Sequence, residues 1–333
     1  MARIAIIGLG LIGGSLALAI KRAGIKDIEV SGTARSRATL TKARKLGAID
    51  VDARDPAEAV AGASLVIVAA PIMTFPEIFR EMAPALEPGA VVTDVASTKG
   101  DVARWARELL PESVDFVGGH PMAGKETQGI DSADADLFSD RPWVVSPSVS
   151  ASEKAVHTVV GLAQLAGAKP LFMDPEEHDS YVAAVSHLPL VLSSALFSVA
   201  FGSTAWPELA RLASSGFRDT TRLASGSPEM ASDIVTTNRA GVLHWIDRFE
   251  EELQRLRSVI ASADAPSVKA TFERAQLERD NYMVNGPPQR EEFAPVEKIS
   301  FADMLLGSTL AGAMRKQQED LRKREERVER RLR

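Results

Sequence analysis

The sequence predicts an α/β domain with a doubly wound, mainly parallel sheet, followed by an all-helical domain. Three observations support this fold class. The chain opens with an apolar run that passes through glycines into a helix-period segment, RIAIIGLGLIGGSLALAIKRAG. Strand-like runs then alternate with helical segments, which is typical of a parallel sheet covered on both faces. Beyond about residue 173 the strand pattern ends and the periodicity is helical.

The individual elements follow in order along the chain. After the first strand and helix, the predicted strands are DIEVSGTA, ASLVIVAAP, AVVTDVAS, DFVGGHP, WVVSP and KPLFMD. The later helices are predicted in DPEEHDSYVAAVSHLPLVLSSALFSVAFG, WPELARLAS, SPEMASDIVTTNRAGVLHWIDRFEEELQRLRSVIASA and SVKATFERAQLERDNYM. We therefore predict a nucleotide-binding domain over 1–173, a helical domain over 174–285, and a linker with a charged C-terminal helix over 286–333. Ser300 and Asp303 form a predicted capping box for that last helix.

Composition limits the class of protein. The 333 residues are 45% hydrophobic, enough for two domains with real cores. The chain has no cysteine, which excludes disulfides, thiolate metal sites and a cysteine nucleophile, and with only five histidines no metal site is expected. A net charge of −6 argues against nucleic-acid binding. We find neither a basic-then-apolar leader nor about 20 uninterrupted apolar residues, so a cytoplasmic protein without membrane contact is expected.

One helical segment carries more apolar surface than a single core needs. LPLVLSSALFSVAFG is hydrophobic on several faces. Such a helix is often buried against a second subunit. The sequence therefore predicts a homodimer formed through the helical domain.

The first strand ends in the pattern G-x-G-x-x-G, which predicts dinucleotide binding. Gly8, Gly10 and Gly13 lie between a strand and a helix, the context in which the pattern is informative. The first glycine permits the turn, the second admits the pyrophosphate, and the third lets the helix pack closely. The predicted cofactor contacts at this turn and after later strands are Gly8, Leu9, Gly10, Leu11, Ile12, Gly13, Ala70, Pro71 and Ser97.

The end of the second strand favours NADP over NAD. NAD enzymes usually carry an acidic residue there, whereas this chain has Thr33 and Ala34. Arg35, Ser36 and Arg37 follow, a set suited to a 2′-phosphate. The alternative is that the two arginines are ordinary surface charges.

The stretch GGHPMAGKETQG places His120 between a glycine pair and a proline. We expect a turn in which the main chain positions the imidazole, a side chain suited to proton transfer near neutral pH. The alternative is a strand that ends in a turn with a solvated histidine.

Together with TDVASTKG, AVSHLP and SSGFRDTTR, this stretch resembles the prephenate and arogenate dehydrogenases of tyrosine biosynthesis, over residues 1 to about 285. The resemblance implies a Rossmann domain followed by a helical dimerisation domain. It also implies a cyclohexadienol substrate with a ring carboxylate, which is oxidised and decarboxylated with hydride transfer to NAD(P).

The resemblance assigns roles to particular residues. His120 would accept the proton of the 4-hydroxyl, Ser97 would hydrogen-bond the same hydroxyl, and Arg222 would hold a substrate carboxylate. Glu126 would pair with that arginine, and Ser186 and His187 of AVSHLP would contact the substrate. No role is assigned to three other histidines, His157, His178 and His244.

Each assignment has a structural alternative. Ser97 would instead cap the following helix, and Arg222 would be a helix-end charge. His187 would be a packed core histidine, and Glu126 a solvated loop charge. Many prephenate-using members read S-H-L-P-H, whereas this chain has Leu190 at the last position, which we associate with arogenate-using relatives.

Two other functions compete with this one. A β-hydroxyacid or imine-reducing dehydrogenase shares the strand, glycine turn and helical domain, but usually depends on a lysine that SHLPLVLSSAL lacks. A non-enzymatic NADP sensor would need the glycine turn but not His120, Ser97 and Arg222 together.

Overall fold

The computed structural model describes residues 2–125, 127–287 and 301–306. They form two compact units. Unit 1 comprises residues 2–179, Ser225–Thr237 and 301–306, and unit 2 comprises Ser180–Ala224 and residues 238–287. Ser300 of the predicted capping box and most of the charged C-terminal segment lie outside the described residues. The domain boundaries at 173 and 285 stay predictions.

Unit 1 is built on an eight-stranded sheet with the order β3-β2-β1-β4-β5-β6-β7-β8. Neighbouring strands are parallel except β6 and β7, which are antiparallel. The strands are β1 Ala2–Ile7, β2 Ile28–Thr33, β3 Val51–Asp52, β4 Ala63–Val68, β5 Val91–Asp94, β6 Asp115–Pro121, β7 Pro142–Pro147 and β8 Lys169–Phe172. The doubly wound, mainly parallel sheet predicted from the sequence is confirmed.

Helices connect these strands and begin where the sequence offers a cap. Ser36, Asp55 and Ser152 each accept a hydrogen bond from a backbone N–H in the first turn of the helix that follows. The helices of unit 1 before residue 174 are α1 Leu11–Arg22, α2 Arg37–Lys45, α3 Pro56–Val60, α4 Phe75–Met82, α5 Gly100–Leu109 and α6 Glu153–Leu165. Unit 1 also contains α11 Pro228–Thr237 and α14 Phe301–Leu306, whose Phe301 packs on Gly161 of α6.

Every regular element that the structure describes in unit 2 is helical. A long helical stretch begins as α7 Pro175–Val182, passes through a π-helical segment at Ala183–His187, and continues as α8 Leu188–Phe201. The remaining helices are α9 Trp206–Leu212, α10 Ser215–Thr221, α12 Arg239–Ala261 and α13 Ala265–Asn285. The predicted order, a Rossmann-type domain followed by a helical domain, is confirmed.

The stretch Pro175–Phe201 is also long and apolar enough to cross a membrane by length and composition. Within its 27 residues, an 18-residue window reaches a mean hydropathy of 1.8, and 22% of that window is buried. Among the described residues it is the one helix that meets this test, which a core helix of a soluble protein can also meet. The apolar run predicted to contact a second subunit lies in this stretch.

Glycines set the spacing between β1, α1 and β4. Gly8 has φ 104°, and a Cβ there would lie 2.5 Å from the backbone oxygen of Ala69. A Cβ at Gly13 would lie 2.0 Å from the oxygen of Gly8. At Gly10 a Cβ would meet no protein atom within 4 Å. Close packing therefore requires the first and third glycines, whereas the second faces open space.

We predict that Gly13→Ala lowers the stability of the fold, whereas Gly10→Ala lowers the affinity for the cofactor. The clash in Gly13→Ala should cost about 2–3 kcal/mol and lower the unfolding temperature by roughly 5–10 °C. Gly10→Ala should melt within about 2 °C of the wild type and lose affinity for the expected dinucleotide, because its methyl group fills space outside the protein core. Thermal unfolding and cofactor titration of both variants test this. Equal melting temperatures, or undiminished cofactor binding by Gly10→Ala, would contradict it.

Candidate active site

The carboxyl ends of six parallel strands meet at one edge of the sheet in unit 1. The strand order reverses between β1 and β4, because β2 and β3 lie on one side of β1 and the later strands lie on the other. Ligands of doubly wound sheets bind at this edge beside such a reversal. Gly8 follows β1, Ser97 follows β5, and His120 lies near the end of β6. The sheet therefore brings the predicted cofactor turn and the predicted base to the same edge.

The glycine turn fits a dinucleotide. Gly10 is the N-cap residue of α1, with no side-chain hydrogen bond to the cap and no acidic residue in the first turn. The first backbone N–H groups of a helix attract anions such as a pyrophosphate. Leu9 is buried over Gly32 of β2, so its side chain belongs to the core. Leu11, Ile12, Ala70 and Pro71 are half-buried around the same edge.

Three polar side chains follow β2, where cofactor choice is read. The side chain of Arg35 is 82% exposed, and its Nη1 lies 3.7 Å from Oε1 of Glu229 on α11. Ser36 accepts a hydrogen bond from the backbone of Thr39 and so caps α2. Arg37 is exposed in the first turn of that helix. Glu229 carries no sequence motif and was not predicted at this position.

His120 lies in a strand and not in the turn that was expected. It is paired with Val144 in the antiparallel β6–β7 ladder. The preceding glycines serve close packing. A Cβ at Gly119 would lie 2.5 Å from the oxygen of Asp94, and one at Gly118 would lie 3.2 Å from the oxygen of Ser146. The glycine pair thus holds β6 tightly against its neighbours, and His120 emerges from a rigid strand.

A neighbour of His120 that was not predicted from the sequence is His178. Nδ1 of His120 lies 2.8 Å from Nε2 of His178, which is fully buried on α7. Nδ1 of His178 in turn lies 2.8 Å from Oδ1 of Asp179. His178 was given no role because it sits on a helix without a motif. The adjacent pair His-Asp in EEHDSY is the one signal that could have indicated it.

Asp179 caps the helix that Ser97 was considered to cap. The carboxylate of Asp179 accepts hydrogen bonds from the backbone N–H groups of Lys99 and Gly100, at 2.7 and 2.9 Å. Lys99 is the N-cap residue of α5, and no side-chain cap of its own is present. The cap alternative for Ser97 is therefore wrong. Ser97 is half-buried in the loop after β5.

A buried ion pair fixes the same region. Nζ of Lys99 donates to Oδ2 of Asp94, and both side chains are at most 1% exposed. The other oxygen of Asp94 accepts a hydrogen bond from the backbone N–H of Gly119 at 3.1 Å. The pair therefore joins the end of β5, the start of α5 and the residue directly before His120.

The start of α7 is fixed by a second carboxylate. Oδ1 of Asp174 accepts hydrogen bonds from the backbone N–H groups of Glu176 and Glu177, at 2.9 and 3.4 Å. A hydrogen bond shared between the two side chains lowers the pKa of the Asp174 carboxyl and raises that of Glu176. Asp174 therefore stays ionised where its charge favours the helix N-terminus.

Ser186 and His187 lie in the π-helical segment of unit 2. His187 is 1% exposed, and its Nδ1 lies 3.1 Å from Nδ2 of Asn238. Ser186 is exposed. Short π-helical insertions occur frequently at functional sites. The substrate roles of these two residues stay predictions.

Arg222 and Glu126 complete the predicted set. Arg222 is exposed at the C-cap of α10 in unit 2, a position that suits either a carboxylate ligand or a helix-end charge. Glu126 lies outside the described residues. Within the described ranges, no group of three or more histidine, cysteine, aspartate or glutamate side chains could hold a metal ion.

Two family models match the chain in succession. Residues 16–171 match the model described as prephenate dehydrogenase, nucleotide-binding domain, and residues 174–274 match the prephenate dehydrogenase dimerization domain. The chain is 35% identical to a prephenate dehydrogenase of Bacillus subtilis over 289 residues, 86% of this chain and 76% of that protein. It is 34% identical to a cyclohexadienyl dehydrogenase of Zymomonas mobilis over 278 residues, 83% of this chain and 94% of that protein.

Solved structures agree in fold and order of domains. Prephenate dehydrogenase of Aquifex aeolicus, in complex with hydroxyphenyl propionate and NAD+, is 29% identical with a TM-score of 0.79, covering 84% of this chain and 98% of that one. Synechocystis arogenate dehydrogenase is 32% identical with a TM-score of 0.72, covering 84% and 99%. The chain belongs to the prephenate dehydrogenase family, and it carries the nucleotide-binding and dimerization domains of that family in order.

Proposed function

We propose that this protein oxidises and decarboxylates prephenate, arogenate or both, yielding 4-hydroxyphenylpyruvate or tyrosine, with hydride transfer to NAD(P). The observation that carries the proposal is the placement of His120. It extends from a rigid strand at the sheet edge that also holds the glycine turn, and it is bonded to a buried His–Asp pair. Membership of the family supports the same reaction and does not favour a β-hydroxyacid or imine-reducing dehydrogenase, or an NADP sensor.

The reaction asks little of the protein beyond one positioned base. A bound nicotinamide would supply the acceptor for the hydride of the ring carbinol carbon. His120 takes the proton of the 4-hydroxyl, and Ser97 donates or accepts a hydrogen bond at the same oxygen. Loss of CO2 then restores the aromatic ring, a strong driving force that needs no further acid or base. His120 therefore carries the chemical step.

Arg222 is proposed to hold a substrate carboxylate through its planar guanidinium, with Ser186, His187 and Glu126 as further contacts. Leu190 replaces the last histidine of S-H-L-P-H and favours arogenate as a substrate. A steady-state assay that crosses prephenate and arogenate with NAD and NADP tests the proposed function. A protein that binds the cofactor and oxidises neither substrate would overturn it.

We propose NADP as the preferred cofactor. Arg35 is highly exposed beside the end of β2, and the positions directly after that strand offer no carboxylate to the ribose hydroxyl. Glu229 lies 3.7 Å from Arg35 and competes with a 2′-phosphate for the guanidinium. The preference thus rests on Arg35, with Ser36 and Arg37 beside it.

We propose a homodimer formed through the helical unit, in the cytoplasm. On α8, Phe197, Val199 and Phe201 are 37%, 77% and 58% exposed. Phe197 and Phe201 stack with centroids 5.8 Å apart and also contact Trp206 of α9. Phe197 and Phe201 share one face of α8, and Val199 lies on roughly the opposite face. Exposed apolar surface of this extent marks an interaction surface. The relatives' second domain is described as a dimerization domain, which makes a second copy the expected partner.

His120→Asn is predicted to lower kcat by about two to four orders of magnitude with a smaller change in KM, because general base catalysis contributes that much to the transition state. His157→Asn on α6 is the matched control and should leave both constants unchanged. A variant with normal kcat and a raised KM would show that His120 binds the substrate instead.

Arg35→Ala is predicted to lower kcat/KM with NADP by about 10- to 100-fold, because a charge-assisted hydrogen bond contributes roughly 1.5–3 kcal/mol. The value with NAD should change less than about threefold. Glu229→Gln should raise kcat/KM with NADP by removing the competing carboxylate, and Arg54→Ala, another exposed arginine of unit 1, serves as control. A wild type that prefers NAD tenfold would contradict the cofactor proposal.

Val199→Asp is predicted to dissociate the dimer, because a buried unpaired carboxylate would be forced into the subunit contact. Light scattering after size exclusion should give twice 35.7 kDa for the wild type and 35.7 kDa for the variant. Val149→Asp, at a fully exposed valine of unit 1, should remain dimeric. A wild-type monomer, or a variant that keeps the wild-type mass, would refute the proposed interface.

A further inference from the structure

His178 is the buried titratable group that the proposed reaction leaves unused. It is 0% exposed and lies between the imidazole ring of His120 and the carboxylate of Asp179. Its Nε2 lies 2.8 Å from Nδ1 of His120, and its Nδ1 lies 2.8 Å from Oδ1 of Asp179. The two imidazole rings meet edge to face, with centroids 5.0 Å apart. A buried histidine with both ring nitrogens directed at polar partners has a defined place for each proton.

The direction of each hydrogen bond follows from the carboxylate. Asp179 is an acceptor, so Nδ1 of His178 carries the proton of that contact. In the neutral ring, Nε2 of His178 is then an acceptor, so Nδ1 of His120 is the donor. In neutral His120, Nε2 is then the ring nitrogen without a proton. The chain of contacts fixes the tautomer in which Nε2 of His120 is the base.

We propose that His178, oriented by Asp179, is a positioning residue that sets the tautomer of His120 and accepts a proton from it during turnover. This proposal rests on the proposed function for its kinetic consequence. The tautomer itself is a property of the folded protein and does not depend on the substrate.

Two proton transfers follow one another along the hydrogen-bonded series His120–His178–Asp179. The 4-hydroxyl of the substrate gives its proton to Nε2 of His120, and Nδ1 of His120 passes its own proton to Nε2 of His178. His120 is then neutral again, and His178 is an imidazolium paired with the carboxylate of Asp179. After product release, Nε2 of His178 returns its proton to Nδ1 of His120, and Nε2 of His120 gives its proton to solvent. This restores the starting state. The positive charge is thus moved one ring away from the reacting carbon.

The surrounding contacts hold this chain in place. Asp179 accepts hydrogen bonds from the backbone N–H groups of Lys99 and Gly100 at the N-terminus of the ten-residue helix α5. The Lys99–Asp94 pair anchors the backbone directly before His120. His120 and Asp179, the two ends of this series of hydrogen bonds, are therefore attached to rigid elements of unit 1. A base that must keep one orientation requires such support.

Two isosteric variants separate the functions of His178. His178→Gln places a carbonyl oxygen near the position of Nε2, so it can accept from His120 but cannot take up a proton. His178→Asn places its amide near Nδ1, so it can donate to Asp179 but offers no acceptor to His120. We expect kcat to fall about 10-fold in His178→Gln and about 100-fold in His178→Asn, with KM within about threefold of wild type. His244→Gln, at an exposed histidine of α12, is the control.

Nitrogen NMR of protein labelled with 15N-histidine reads the tautomer directly, and the His120→Asn spectrum assigns the signals. We expect His120 to carry its proton on Nδ1 in the wild type and in His178→Gln, and to shift toward the Nε2–H form in His178→Asn. A wild-type His120 protonated on Nε2, or a folded His178→Asn with kcat within twofold of wild type, would overturn the inference. If neither variant folds, the wild-type tautomer decides. Absence of turnover in the wild type would instead refute the proposed function.

Discussion

The buried ion pair between Lys99 and Asp94 is the interaction on which the rest of the site depends. Removing one partner of such a pair leaves an uncompensated charge in the core, which typically costs about 3–5 kcal/mol. The pair is held because Asp94 also accepts hydrogen bonds from the backbone N–H groups of Ala96 and Gly119. It therefore determines the path of the chain after β5 and the position of β6 at the same time. The residue that follows Gly119 is His120.

The same small region attaches α7 to the sheet. The first backbone N–H groups of α5 bind the Asp179 carboxylate, so the dipole of α5 is used within the protein. The N-terminus of α1, at the same edge of the sheet, begins at Gly10 without a side-chain cap. The two helix ends thus have different partners: one orients the His178–Asp179 pair, and the other suits the phosphates of a cofactor.

The parts of this arrangement that depend on residues adjacent in the sequence could be predicted from it. The strand, glycine turn and helix at Gly8, Gly10 and Gly13 follow from a local pattern, and so does the change to helical periodicity. His120 was expected in a turn because glycines usually mark bends. In the structure the backbone oxygen of Asp94 occupies the space of a Cβ at Gly119, a contact between residues 25 positions apart that local pattern cannot reveal.

His178 shows the same limit more clearly. On its helix it looks like any polar residue near an N-terminus, and its meaning comes from His120, 58 positions earlier. The cap of α5 is likewise supplied by Asp179, 80 positions after Lys99, so a local choice of Ser97 was wrong. Conversely, Glu126 and Arg222 were identified by resemblance alone. Their roles depend on a substrate and stay predictions.

The polar groups of the stretch Pro175–Phe201 explain why its hydropathy alone is a poor guide to its surroundings. Within unit 1, His178 contacts His120 and Asp179 accepts a hydrogen bond from Lys99. Within unit 2, His187 contacts Asn238 and the hydroxyl of Ser193 accepts a hydrogen bond from Ala224. These partners are protein groups, which indicates that this side of the helix is built to pack against protein. The apolar side chains of α8 on its other faces, Val199 and Phe201 among them, still need a cover. In a two-fold symmetric dimer, the same surface of each subunit lies in the contact. The proposed dimer therefore covers these side chains without any further partner.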